Sequence, residues 1–158
     1  MKSTNILTLI LLFLSVNAFA AEDICPFPAG VQASIGASKQ AIAAKNSGVS
    51  KEDLLKKIPQ GIEVSRLLTE IVQEVYDFPT LRPEVYAAYR FNLCLVATKY
   101  PEQVSEIKFS DAHALLQKCE SISEEGARPP CAMRVVHTIS GIPLNMSDST
   151  SPQSSGNR

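Results

Sequence analysis

This 158-residue chain has no basic or acidic block: 15 Lys and Arg stand against 16 Asp and Glu, for a formal net charge of −1. That balance argues against nucleic acid as a partner and against an electrostatic tail. After residue 20 no apolar run approaches the roughly 20 residues that a helical membrane span requires, so no span is expected. Strand-like alternation, glycine-rich hairpin turns and internal repeats are missing as well. The fold class that remains is all-α, a bundle of five or six helices.

The motifs of several chemistries are missing too. Without a Gly-x-Ser-x-Gly run there is no nucleophile elbow of the α/β-hydrolase kind. Neither C-x2-C nor H-x3-H spacing occurs, which removes the usual basis for a zinc site or a thioredoxin-like redox centre. Glu120, Glu124 and Glu125 gather acidic charge but lack the alternating Asp/Asn and the glycine of a calcium loop, so a solvated turn is the reading. Of the two histidines, His113 is expected on an exposed helix face and His137 on a short terminal helix. Neither has a partner pattern, and both are assigned a structural or solvent role. No catalytic residue, cofactor or metal is expected.

What is present begins with an export signal over residues 1–20. Lys2 supplies the positive start, residues 6–16 the apolar run, and Ala18-Phe19-Ala20 the small-x-small cleavage pattern. Cleavage after Ala20 would deliver the product to the periplasm. A lipid anchor is not expected, because Glu22-Asp23-Ile24 precedes Cys25 where a lipobox would place small residues. The 15 Lys and Arg less Lys2 leave 14 against 16 acids, a net charge near −2. Residues 21–144 are long enough for one domain with its own core, and residues 145–158, rich in Ser, Asn, Asp and Pro, read as a disordered tail.

Four cysteines, Cys25, Cys94, Cys119 and Cys131, make an even number in a chain bound for an oxidising space. Disulfides are the default, and they disfavour a cysteine nucleophile. Sequence allows three pairings. Loop length prefers Cys119 with Cys131 around the polar residues 124–130, worth about 3 kcal/mol on the chain-entropy model. Cys25 then pairs with Cys94, a longer loop worth about 4 kcal/mol on the same model.

Residues 62–101 read as two consecutive helices, each closed by an aromatic residue near a proline, at Phe78-Pro79 and Tyr100-Pro101. Val64, Leu67, Leu68, Ile71, Val72 and Val75 form the inward face of the first, and Val85, Tyr89, Leu93, Val96 and Tyr100 that of the second. A link of about four residues predicts that the two lie side by side. Upstream, residues 31–46 form a first helix with Ala33, Ala37, Ala41 and Ala44 on one side, ended by Gly48. Ser50 with Asp53 resembles a capping box for a short helix over residues 51–57, with Val49 and Leu54 as its hydrophobic staple. Downstream come a connection over residues 101–109 with one turn of helix, a helix capped by Ser110 with Ala112, Leu115, Leu116 and Cys119 on one face, and a last one over residues 132–139. Met133, Val136 and Ile139 point inward from that last helix.

Arg82, Tyr86 and Arg90 fall at four-residue steps beside the inward stripe of the second central helix. Two readings stand together. In one, Tyr86 completes the core and the arginines are solvated. In the other, the stripe docks a protein, since Arg and Tyr are enriched at interface hot spots.

The exported start with an early Cys25, then Lys39-Gln40, the run Gly48-Val49-Ser50-Lys51-Glu52-Asp53-Leu54-Leu55, Val75-Tyr76-Asp77 and the helix-borne Cys94 together resemble the small helical periplasmic proteins of unknown function in proteobacteria. The resemblance covers about residues 25–100 and implies a helical fold and an envelope location. Immunity proteins of type VI secretion share this general build. The expected function is a non-enzymatic periplasmic module that binds another envelope protein, most concretely an immunity or inhibitor protein against an envelope-targeting toxin. A periplasmic chaperone or holdase, which would expose a large apolar groove, is the alternative. An enzyme with a dispersed site is the third reading, and a pocket joining a histidine to a carboxylate would favour it.

Overall fold

The computed structural model describes residues 25–144, and the expected export signal and polar tail lie outside the described residues. Among the described residues seven α-helices follow one another: α1 (Ala29–Asn46), α2 (Lys51–Leu55), α3 (Ser65–Asp77), α4 (Pro83–Ala97), α5 (Pro101–Ser105), α6 (Phe109–Glu120) and α7 (Arg128–Ser140). A 3-10 turn, Glu125–Ala127, precedes α7, and no strand occurs among the described residues. Five helices of 12 to 18 residues form the body of the bundle, and α2 and α5 are single connecting turns of 5 residues each.

The disulfides join Cys25 to Cys94 and Cys119 to Cys131, as loop length predicts. The first fastens the start of the described chain to α4, and the second fastens the end of α6 to the first turn of α7.

Helix α4 is the central element. It buries Val85, Tyr86, Ala87, Tyr89, Arg90, Asn92, Leu93, Cys94, Val96 and Ala97, because α1 and α7 both pack along it while α5 and α6 close it from other sides. Its start is prepared by Pro83, whose missing N–H costs nothing in a first turn, and by Glu120 of α6, whose Oε1 accepts from the Arg82 N–H at 2.6 Å.

Helices α3 and α4 are neighbours as the short link predicts, joined by the contacts of Tyr86 and Arg90 with Glu70, Ile71 and Glu74, but their backbones stay further apart than those of α1 and either one, since α1 packs closely on both. Side-chain size is the reason. Helix α1 turns Gly30, Ser34, Ser38 and Ala41 inward, small enough for near contact, with Ile42 beside them. This buried line differs from the expected alanine face, for Ala33, Ala37 and Ala44 are only half-buried. Between α3 and α4, by contrast, stand the long side chains of Tyr86 and Arg90, which hold the backbones apart.

Local signals mostly hold. Ser50 Oγ accepts from the Asp53 N–H at 3.1 Å, capping α2. The shorter Asp carboxylate takes the Ser50 hydroxyl at 2.8 Å, so the reciprocal arm meets a side chain. Lys51 reaches Asp77 at 2.7 Å and the Tyr76 hydroxyl donates to the Val49 carbonyl at 2.7 Å, which ties α2 to the end of α3. Lys45 Nζ donates to the Val75 and Phe78 carbonyls, satisfying acceptors that the end of α3 leaves open.

Other positions differ from the sequence reading as well. Tyr100 is 39% exposed, because α4 ends at Ala97 and the residue falls in the link to α5. Helix α6 begins at Phe109, one residue before the expected cap, and the Ser110 hydroxyl bonds Asp111 instead. Helix α7 begins at Arg128, four residues earlier than expected, since Pro129 and Pro130 are tolerated in a first turn. His113 is 6% exposed, not solvent-facing. Its Nε2–H donates to the Pro79 carbonyl at 2.9 Å, and its ring packs with Phe78 and Phe109.

Candidate functional site

The three residues singled out as a docking stripe part company. Arg82 is exposed at the start of α4, its Nε 3.6 Å from Glu120 Oε2. Tyr86 and Arg90, each 1% exposed, are core residues and present no outer face. The stripe therefore does not exist as a surface. One reading of the sequence, Tyr86 completing the core, is the one observed; solvated arginines hold for Arg82 and fail for Arg90. The physical reason is a pair of carboxylates on α3. Glu70 and Glu74, four residues apart, face Tyr86 and Arg90, also four apart, so the two i,i+4 steps match across the helices.

The buried network has Arg90 at its centre. Its Nε lies 3.0 Å from Glu74 Oε2 and 3.3 Å from the Tyr86 hydroxyl, which itself donates to Glu74 Oε2 at 2.7 Å. Glu70 Oε2 stands 3.7 Å from Arg90 Nη2, while Glu70 Oε1 takes Arg66 Nε at 3.3 Å. Burial pushes the Glu74 carboxyl above the usual carboxylate range, against the pull of Arg90 and the Tyr86 hydrogen bond. Burial likewise raises Tyr86 and Tyr89. Burial works against the charge of Arg90, but Glu74, with Tyr86 and Tyr89, outweighs it and Arg90 stays protonated. A cleft of about 190 Å³ between α3, α4 and α5 opens onto this network.

A second feature lies at the other disulfide. Between α6 and α7, which Cys119–Cys131 ties together, runs an open groove of about 510 Å³, within the size range of ligand sites. Leu115, Ile122, Pro130 and Val135 supply its apolar walls, and Lys118 and Arg134 stand exposed at its rim. Arg128 braces the same region through Ile122. Its Nε donates to the Ile122 carbonyl at 2.8 Å and its Nη1 lies 3.8 Å from Glu84 of α4.

His137, Glu120 and Glu125, also weighed from the sequence, have structural partners. His137 Nδ1 donates to the Ile142 carbonyl at 3.1 Å beside the left-handed Gly141 that ends α7. Glu120 serves Arg82, and Glu125 lies 3.9 Å from Arg128. Among the described residues no group of three His, Cys, Asp or Glu converges as a metal site, no cysteine is free, and no helix is long and apolar enough to cross a membrane.

Sequence reasoning missed both features. The matched spacing of Glu70 and Glu74 with Tyr86 and Arg90 was a usable signal for the network. The groove had none, because it arises from how α6 and α7 diverge around their disulfide. Compared with known protein families, curated proteins and solved structures, the chain matches none.

Proposed function

We propose that this protein is a non-enzymatic binding module of the bacterial envelope, and that it recognises a short segment of another envelope protein in the α6–α7 groove. An immunity or inhibitor role against an envelope-targeting toxin is its most concrete form. One observation carries the reading: a groove of about 510 Å³ with apolar walls, whose rim holds two exposed cations that enter no ion pair among the described residues. An apolar floor with a cationic edge selects a segment that alternates Leu-like with acidic side chains, the apolar groups giving affinity and the charges register. The disulfide across α6 and α7 and the Arg128 brace keep the groove formed before binding, which lowers the ordering cost of association. A holdase needs a far larger apolar surface for varied clients, and this groove accommodates only a few side chains.

The test is titration of fluorescent ten-residue peptides of acidic–leucine and lysine–leucine composition. Saturable binding is expected for the acidic series alone, weakened at least tenfold by the double variant Lys118→Glu, Arg134→Glu and by raised salt. Equal binding of both series, or binding indifferent to the double variant, rejects the assignment.

A further inference from the structure

We infer that the cleft between α3, α4 and α5 is a binding site for a small zwitterion of free amino-acid chemistry, independent of the α6–α7 groove. Arg90 lines the cleft, is buried to within 1% of its surface, and its Nη2 makes no hydrogen bond, the Glu70 Oε2 standing off at 3.7 Å. A buried guanidinium N–H without a hydrogen bond costs stability, and a planar guanidinium edge fits a carboxylate. Ser105 of α5 also lines the cleft and is exposed, its hydroxyl donating to the local Glu102 carbonyl at 2.7 Å. That hydroxyl is free to turn toward a second carboxylate oxygen.

Charge balance narrows the ligand class. The cleft is lined by two cations, Arg66 and Arg90, and two carboxylates, Glu70 and Glu74. A simple anion placed on Arg90 Nη2 meets Glu70 beside it, and a simple cation placed on Glu70 meets both arginines. A molecule bearing a carboxylate and an ammonium group a few ångströms apart satisfies both, with its carboxylate on Arg90 Nη2 and Ser105 and its ammonium on Glu70. The volume of about 190 Å³ admits one small amino acid and excludes a folded partner or a long peptide.

The experiment follows the side-chain Nε–H resonance of Arg90 by NMR in the disulfide-bonded protein, during titration with glycine, L-alanine and L-glutamine, and separately with acetate and methylammonium. A saturable shift at millimolar concentration is expected for at least one amino acid, at least tenfold tighter than for acetate or methylammonium. Two variants spare the Arg90–Glu74 pair: Ser105→Leu narrows the cleft from its exposed side, and Arg66→Gln releases Glu70 to close on Arg90. Each folded variant is expected to weaken the amino-acid response tenfold or more. The absence of a saturable response to all three amino acids overturns the inference, as does a response equal to that of acetate or one that either folded variant leaves intact.

Discussion

Arg90 is the residue whose environment departs furthest from what its type suggests. A guanidinium in the core is stabilised only by partners that hold still, and Glu74 with Tyr86 supplies them. Replacing it, Arg90→Met, leaves Glu74 buried without its cation, and is expected to cost about 3–5 kcal/mol near neutral pH. The pH dependence has a definite sign. The Glu74 carboxyl already stands above its ordinary 4.5, and losing Arg90 moves it higher still. An acid whose folded value is raised favours the fold when protonated, so the penalty is complete above the folded value and shrinks as pH falls toward the unfolded one. Urea denaturation of both proteins from about pH 8 down to about pH 4.5 should show the gap narrowing. A constant gap would mean that some other group is left uncompensated.

At the scale of elements, α1 illustrates how one helix answers to two neighbours. Gly30 sits against the Cys25–Cys94 bridge with no room for another carbon: a Cβ there would meet Cys25 Sγ at 2.9 Å and Pro26 Cδ at 3.0 Å. Gly36, in the same helix, is exposed and has nothing within 4 Å. Gly30→Ala is therefore expected to destabilise by about 1–3 kcal/mol through overpacking. Gly36→Ala is expected to stabilise by about 0.5–1 kcal/mol, because alanine restricts the unfolded chain and favours the helix. Opposite shifts in melting temperature check both. Position in the helix cannot distinguish these glycines; only the neighbour across the interface does. The same holds for the serines: Ser34 meets the Val31 carbonyl at 2.8 Å, while Ser38 is buried with no partner, accepted where the close approach of a neighbouring helix excludes a larger side chain.

For the whole molecule, two covalent ties act on different loops. Cys25–Cys94 closes a separation of 69 residues and Cys119–Cys131 one of 12, and loop-closure entropy grows with length. Cys25→Ala with Cys94→Ala is expected to lower stability by about 4 kcal/mol, against about 3 kcal/mol for Cys119→Ser with Cys131→Ser. Burial adds to that order, since both sulfurs of the longer tie are buried whereas Cys131 is half-exposed. Equilibrium urea titration of the two double variants measures it, and the reverse order would remove loop entropy as the controlling quantity. The shorter tie carries a functional cost as well, for the groove between α6 and α7 depends on it under the proposed function.

Helix-forming segments, most of their inward stripes and the cysteine pairing were legible from residue order alone, because each depends on local periodicity or on loop length. Leu67, Ile71, Val72 and Val75 are buried where their spacing puts them, and so are Val85, Tyr89, Leu93 and Val96. Which helices touch was decided only in three dimensions. Periodicity identifies the apolar face of a helix, but the distance to a neighbour depends on side-chain sizes supplied from elsewhere in the chain. Gly30, Ser34, Ser38 and Ala41 bring α1 close, Tyr86 and Arg90 keep α3 and α4 apart, and the space left over becomes the polar cleft.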